Sequence, residues 1–194
     1  MNSIRRISFL ILLTLALVTA IGISDVRFFD NSEAKSSLAE EAWGQAGSIA
    51  YQAAAKTMRA KNSAGVPLDN VQKRYLRRYF IDYIDRVTVI YNAQMMDRWV
   101  FANVAVHFGR VDSIAQTYCD RIYLRAPYNS EDIKQLTILA HEMIHVRQCV
   151  QNGGLDQFGY QYFVEYKRAK QKYESNLMER EAYDLQDKFA RANQ

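Results

Sequence analysis

Two histidines and a glutamate lie close together in this chain at a spacing that suits metal-dependent hydrolysis. His141 and His145 are four residues apart, and on an α-helix that spacing places both imidazoles on one face, within reach of one metal ion. Glu142 lies beside them and can deprotonate a water held by that ion. The intervening Met143 and Ile144 are uncharged. This HExxH pattern predicts a catalytic zinc (Zn²⁺) site on a buried helix.

A surface helix with two solvated histidines is the alternative interpretation of these residues. Apolar residues recur around the motif at helical spacing, which favours a buried helix instead; they are Ile133, Leu136, Leu139, Ala140 and Val150. Asn129 or Ser130 is the predicted N-cap, and the helix is expected to stop at residues 152–154, Asn-Gly-Gly.

A catalytic zinc needs a third protein ligand, because its last position is kept for water. No histidine follows His145, so the sequence favours a carboxylate. Glu165 lies 20 residues after His145, on the apolar face of its predicted helix. Glu179 and Glu181 flank an apolar stripe on opposite sides, and for Glu179 a capping box with Asn176 is a structural alternative. The candidates are therefore Glu165, Glu174, Glu179 and Glu181.

The two cysteines, Cys119 and Cys149, admit three interpretations. In an oxidising compartment an even pair predicts a disulfide, which here would brace the motif helix. Two separate thiols are the second interpretation. Since Cys149 lies four residues after His145, it could also serve as a metal ligand, although thiolates are more usual in structural zinc sites.

The first 24 of the 194 residues have the parts of an export signal. Arg5 and Arg6 give a positive start, residues 7–23 form an uncharged apolar run, and cleavage is expected after Ala20 or Ser24. An uncleaved anchor in the inner membrane is the alternative, since the run is long for a signal peptide. Either way, we expect a periplasmic or extracellular protein.

Charge and composition exclude several other classes. The net charge is +4, of which Arg5 and Arg6 contribute two, so the remainder carries only +2. This mild balance predicts no nucleic-acid partner, and the short basic cluster at residues 73–78 is expected to be a solvated helix face. Hydrophobic residues make up 49% of the chain and glycine and proline are scarce, as in a packed, largely helical domain.

The remaining pattern predicts both helices and strands. Helices are expected over residues 31–62, 70–83, 156–173 and 176–192, the second capped by Asp69 with an apolar stripe of Val71, Tyr75, Tyr79 and Tyr83. Residues 86–92 are rich in β-branched side chains and predict a strand, whereas residues 97–105 are expected to form a short helix. Residues 115–118 and 121–124 predict a hairpin whose edge could pair with an extended peptide. His107 stands alone and receives no role.

From about residue 68 to residue 185 the chain resembles a known family. It is similar to the zincin-like metallopeptidase domain of bacterial exported proteins and of proteins associated with extracellular contractile injection systems. The matching segments are Tyr79-Phe80, residues 86–89, 115–118, 122–124 and 139–146, then Gln148, Tyr173, Asn176 and residues 179–183. The chain departs from many members at Cys119-Asp120, where they have Gly-Asn, and at Leu177, where they have Pro.

The resemblance implies a third-ligand motif, ExxA[DY], which falls on Glu179 with Ala182 and Tyr183. It implies an α+β, mostly helical fold, with a small β-sheet packed on the HExxH helix. The expected organisation is an export segment or anchor at 1–24, a helical segment at 25–67 and the zincin-like domain at 68–194. The expected function is a zinc metallopeptidase acting on a peptide or protein substrate. The alternative is a non-catalytic exported zinc-binding interaction module.

Overall fold

The computed structural model describes residues 31–96, 99–101, 104–106 and 113–193, and this part of the chain is mostly helical with a small mixed sheet. Its α-helices are α1 (Asn31–Lys61), α2 (Asn70–Phe80), α3 (Ile133–Gln151), α4 (Leu155–Arg168) and α5 (Leu177–Ala192). Its strands are β1 (Val66–Pro67), β2 (Thr88–Ile90), β3 (Trp99–Phe101), β4 (Val104–Val106), β5 (Ala115–Tyr118) and β6 (Arg121–Leu124). The α+β, mostly helical class is therefore confirmed.

Ser36–Gln194 form one compact unit, which contains these elements apart from the first turn of α1. The predicted export segment at residues 1–24 and His107 lie outside the described residues. Among the helices that are described, none has a stretch long and apolar enough to cross a membrane.

The main sheet has the strand order β1-β2-β6-β5. β2 pairs with β6 in parallel, whereas β1 with β2 and β5 with β6 are antiparallel. The predicted hairpin is thus present, with Cys119 in its turn at a positive φ of 54°. β5 forms one edge of the sheet in the described part of the chain, and it packs beside α3.

The motif helix α3 lies at the centre of the core, as its apolar sequence requires. Leu139, Ala140, Met143 and Ile144 are fully buried, and they pack against residues of α2, β2, β6 and α5. Burying such side chains stabilises a fold by about 1.5–3 kcal/mol each. The core therefore fixes which face of α3 is turned toward the polar site.

Glycines allow α1 to approach α4 closely. A Cβ on Gly47 would lie 2.3 Å from the Phe163 side chain, and a Cβ on Gly159 would lie 2.7 Å from Cβ of Tyr51. A side chain at either position would therefore force the two helices apart. This contact brings Tyr51 of α1 into a second core cluster, together with Tyr118, Phe158 and Cys149.

The buried face of α2 lies one residue later in the sequence than the predicted apolar stripe. Asp69 does cap the helix, and it forms a capping box with Gln72. The buried residues, however, are Gln72, Leu76 and Phe80, while the predicted tyrosines pack only partly against the core. The reason is that tyrosine hydroxyls need polar partners or water, so the tyrosines lie at the rim while leucine and phenylalanine fill the interior.

The helix predicted at residues 97–105 is wrong. Trp99–Phe101 and Val104–Val106 form an antiparallel pair of strands, β3 and β4. These six residues are mostly aromatic or β-branched, and such side chains lose rotamer freedom in a helix but fit a pleated strand.

Several helix boundaries also differ from their predictions. The N-cap of α3 is Asp132, whose side chain accepts a hydrogen bond from the Lys134 N–H, rather than Asn129 or Ser130. α4 begins directly after Gly154 and ends at Arg168, earlier than the predicted residue 173. It ends there because Lys170 and Gln171 have positive φ values of 53° and 63°, which are incompatible with a right-handed α-helix.

A disulfide joins Cys119, in the hairpin turn, to Cys149, near the end of α3. Their Cα atoms are 5.3 Å apart, and the bond closes a loop with a sequence separation of 30. It ties the β5–β6 hairpin to the helix that carries the HExxH motif. Of the three interpretations of the two cysteines, the structure confirms the disulfide.

Replacing both Cys119 and Cys149 by serine is expected to lower the free energy of unfolding by about 3–4 kcal/mol, because a cross-link of this loop length restricts the unfolded chain. Denaturant unfolding of wild type and variant, both non-reduced, measures the difference. Wild type with a reductant is the matched control and should lose a similar amount. An unchanged unfolding midpoint in the variant would contradict the prediction.

Candidate metal and catalytic site

The two histidines and Glu142 lie together on the inner face of α3. His141, Glu142 and His145 expose only 6%, 7% and 7% of their surface. Polar groups are rarely this buried without partners, because losing water costs free energy that a hydrogen bond or an ion must offset. These three side chains therefore form a polar cluster within the core. The alternative interpretation, a surface helix with two solvated histidines, is wrong.

Helix α5 brings Glu179 to the same place. Glu179 is 3% exposed and lies in the first turn of α5, which packs along α3 through residues including Ala182. Its Oε2 atom lies 3.5 Å from Nε2 of His141 and 3.6 Å from Nε2 of His145. The two Nε2 atoms are 3.2 Å apart. Three potential ligand atoms from two helices thus form a compact triangle that could hold a metal ion.

The capping-box alternative for Glu179 does not occur. Asn176 caps α5 by accepting a hydrogen bond from the Met178 N–H, while its own backbone N–H donates to the Tyr173 carbonyl. Glu179 instead accepts a hydrogen bond from the Tyr162 hydroxyl at Oε1, 2.7 Å away. Oε2 is buried and, within the described part of the chain, has no hydrogen bond of ordinary geometry, so it is the carboxylate oxygen left to face the histidines.

The other third-ligand candidates lie elsewhere. Glu165 is buried but pairs with Arg168, 2.6 Å away. Glu181 accepts hydrogen bonds from Arg147 and from Gln148. Glu174 is exposed and Cys149 is in the disulfide. Among the described residues, the ligand cluster contains Glu179 and none of these alternatives.

Gln148 orients the His145 ring. Its Nε2 atom donates to the Met178 carbonyl and to Glu181, so its Oε1 is the atom that faces Nδ1 of His145, 2.9 Å away. The network therefore assigns the ring proton to Nδ1 and leaves the lone pair of neutral His145 on Nε2. In the neutral ring that metal binding requires, Nε2 is therefore the free nitrogen, and it faces Glu179 and His141.

The charged forms of His145 and Glu179 stabilise each other. Burial works against a charged His145, but the Glu179 carboxylate outweighs it and raises the pKa of His145 to about 9. Burial likewise works against a charged Glu179, yet His145 and His141 hold its pKa well below its usual range. The carboxylate is therefore ionised at neutral pH, and a cation between these groups would be well compensated.

A cavity of about 150 Å³ opens onto this cluster. One side is β5, including Ala115 and Thr117, and the other sides carry aromatic rings from α1 and α4. The Thr117 hydroxyl donates to Oε2 of Glu142 at 2.6 Å. The cavity thus joins the general-base candidate and two of the metal-ligand candidates to a space that a substrate could enter.

A tyrosine hydroxyl can stabilise an oxyanion, and of Tyr160, Tyr166 and Tyr183 the one that lies at the site is Tyr183. The Tyr183 ring packs edge-on against His141, with ring centroids 4.7 Å apart. Tyr160 donates its hydroxyl to Glu41 instead, and Tyr166 packs against Trp43. The structure adds Tyr173, which lines the cavity and whose pKa is raised by burial and by the Glu179 carboxylate.

Several residues of the site escaped the sequence analysis as functional residues. Thr117 and Tyr173 appeared only among the positions matched to the family, without a role, and Tyr51 and Tyr162 are two among 13 tyrosines. None belongs to a spaced motif, so only their placement around Glu142 and Glu179 distinguishes them.

No protein-family model, curated protein or solved structure significantly matches this chain. The resemblance of residues 68–185 to the zincin-like family stays a prediction from the sequence. The geometry of His141, Glu142, His145 and Glu179 is the observation on which a functional proposal can stand.

Proposed function

We propose that this protein is an exported zinc-dependent metallopeptidase. The single observation that carries the proposal is the buried triangle of His141, His145 and Glu179, with Glu142 beside it on the same helix. Two imidazoles and one carboxylate are the protein ligands of several catalytic zinc sites, which keep a fourth position open. A purely structural site has no need of a glutamate in the position of Glu142.

The distances in the triangle fit zinc. Zinc bonds to imidazole and carboxylate ligands are ~2.0–2.2 Å long, so two ligands of a tetrahedral ion lie ~3.3–3.6 Å apart. The three ligand atoms of this site are 3.2, 3.5 and 3.6 Å from one another. Glu179 Oε2 is buried and none of the residues that the structure describes makes a hydrogen bond of ordinary geometry to it, as expected of an atom whose partner is an ion.

The zincin-like fold belongs to the same proposal. Its supports are the resemblance from residue 68 to residue 185, and an arrangement in which the HExxH helix packs beside the edge strand β5. The Cys119–Cys149 disulfide supports export, because such bonds persist mainly in oxidising compartments. The predicted signal peptide or anchor at residues 1–24 would direct the protein out of the cytosol.

Bound zinc would lower the pKa of a water from about 16 toward ~7 and would polarise the scissile carbonyl. Glu142 is the general base: its carboxylate accepts a proton from the attacking water and then delivers that proton to the leaving amine. His141, His145 and Glu179 would hold the ion, and Gln148 would keep the lone pair of His145 directed at it.

The edge strand β5 would align the substrate. In the β5–β6 register Thr117 lies opposite Ile122, and the neighbouring Gln116–Tyr123 and Tyr118–Arg121 pairs are the ones that exchange hydrogen bonds in a tight hairpin. The backbone groups of Ala115 and Thr117 therefore face away from β6. The Thr117 carbonyl on that side already accepts the Tyr51 hydroxyl, so the remaining groups of this edge are the ones that a substrate could meet. An extended peptide could pair there while its scissile bond lies beside Glu142. Tyr183 and Tyr173 are the candidates to stabilise the developing oxyanion.

The zinc-loaded protein is expected to hydrolyse members of a mixed peptide library. A chelator should abolish the activity, and added zinc should restore it, because the ion supplies the electrophile. Mass spectrometry of the products measures this. Stoichiometric zinc without hydrolysis would refute the enzyme and favour the alternative, an exported zinc-binding interaction module. Hydrolysis that survives removal of the metal would contradict the mechanism.

A further inference from the structure

A chain of hydrogen bonds connects the N-terminal helix to the general base through one threonine. Thr117, on β5, is 8% exposed, and its hydroxyl donates to Oε2 of Glu142 at 2.6 Å. The carbonyl of the same residue accepts a hydrogen bond from the Tyr51 hydroxyl of α1. Three elements that are distant in sequence therefore meet at Thr117.

The direction of these bonds follows from their chemistry. An ionised carboxylate can only accept hydrogen bonds, so the single hydroxyl proton of Thr117 points to Glu142. The Thr117 carbonyl can only accept, so Tyr51 is the donor. Tyr51 is 7% exposed and is wedged among the rings of Tyr118 and Phe158, with centroids 5.0 and 5.1 Å away. Packing thus fixes the Tyr51 side chain, and the hydrogen bonds that follow restrict Thr117 and Glu142.

We propose that Thr117 is a positioning residue, which holds the Glu142 carboxylate in the orientation that catalysis requires, and that Tyr51 keeps Thr117 in place. The inference rests on the proposed function, since it assigns Glu142 the role of general base. A flexible glutamate has several rotamers, and a charge-assisted hydrogen bond selects one of them. Proton transfer needs donor and acceptor within hydrogen-bond reach, so this selection acts on the chemical step.

Four variants test the assignment. Thr117→Val removes the hydroxyl but keeps the shape, and Thr117→Ser keeps the hydroxyl. Tyr51→Phe removes the donor to the Thr117 carbonyl. Thr137→Val is the matched control, because that hydroxyl donates within α3 to the Ile133 carbonyl, 2.8 Å away. Each variant is first loaded with zinc and its metal content measured; all four should hold one equivalent, as wild type does.

For Thr117→Val we expect kcat to fall by about 10- to 100-fold while KM stays within about threefold, the range seen when partners of catalytic groups are lost. Thr117→Ser should recover most of the rate, and Thr137→Val should match wild type. Tyr51→Phe should lower kcat less, and in the double variant it should add nothing to the loss from Thr117→Val, because both changes act on the same group.

A readout independent of activity is the orientation of Glu142 in crystals of the zinc-loaded proteins. One orientation is expected in wild type and Thr117→Ser, and more than one in Thr117→Val. A single, unchanged orientation in Thr117→Val overturns the inference, as does a wild-type kcat in that variant. A wild-type protein that binds zinc but hydrolyses nothing overturns the proposed function instead, and the orientation of Glu142 still decides the inference. Should Thr117→Val fail to fold, Thr117→Ala provides the same comparison.

Discussion

Replacing Glu142 by glutamine is expected to reduce peptide hydrolysis by about 10²- to 10⁴-fold while leaving the metal bound, because loss of a general base removes a contribution of that size. Glutamine has the shape of glutamate but cannot take a proton at neutral pH. Its side-chain carbonyl can still accept the Thr117 hydroxyl, so the buried hydrogen bond survives. Steady-state kinetics and zinc content of the purified variant measure the two effects separately.

A matched control for this variant is Glu131→Gln, since Glu131 is exposed in the turn before α3. It carries the same change of charge close to the same helix and should hydrolyse peptides at the wild-type rate. Full activity in Glu142→Gln would refute the assigned mechanism. Loss of zinc from Glu142→Gln would show that Glu142 acts on the metal itself.

Replacing Glu179 by alanine is expected to weaken zinc binding by more than about 100-fold, beyond the 10–100-fold typical of residues that only support a ligand. The variant removes the carboxylate whose Oε2 lies 3.5 and 3.6 Å from the two histidine nitrogens. Without it, two neutral imidazoles remain as ligands, and the ion loses its one anionic ligand among the described residues. Competition with a chromogenic chelator measures the affinity.

The thermal midpoint gives a second readout of the same change. Zinc binds the folded protein, so it should raise the wild-type midpoint, and the Glu179→Ala midpoint should respond little to added zinc. Glu165→Gln and Glu174→Gln are the controls, because Glu165 pairs with Arg168 outside the triangle and Glu174 is exposed. Either control losing zinc while Glu179→Ala retains it would contradict the assignment of the third ligand.

Local signals accounted for the helices and for two of the three metal-ligand candidates. The i and i+4 spacing of His141 and His145 is a property of any α-helix, so the pair could be assigned before the fold was known. The end of α1 and the caps Asp69 and Asn176 were also readable, because the signals that end or cap a helix are side chains adjacent in sequence.

Short apolar segments were less readable. Residues 97–105 are too few to show a helical or a strand periodicity. The helix predicted for them is wrong because β3 and β4 pair with each other instead. The α2 stripe was misplaced by one residue because tyrosine counts as apolar in a pattern, although its hydroxyl keeps it near the surface in the fold.

The sequence by itself determined that His141, Glu142 and His145 share one buried helix, since their spacing and their apolar neighbours are local properties. It left four glutamates open as the third ligand until the family resemblance singled out Glu179. Only the tertiary structure decided which carboxylate meets the histidines, because that depends on how α5 packs on α3. The same holds for Thr117 and Tyr51, whose partners lie 25 and 66 residues away, a separation that no local pattern encodes.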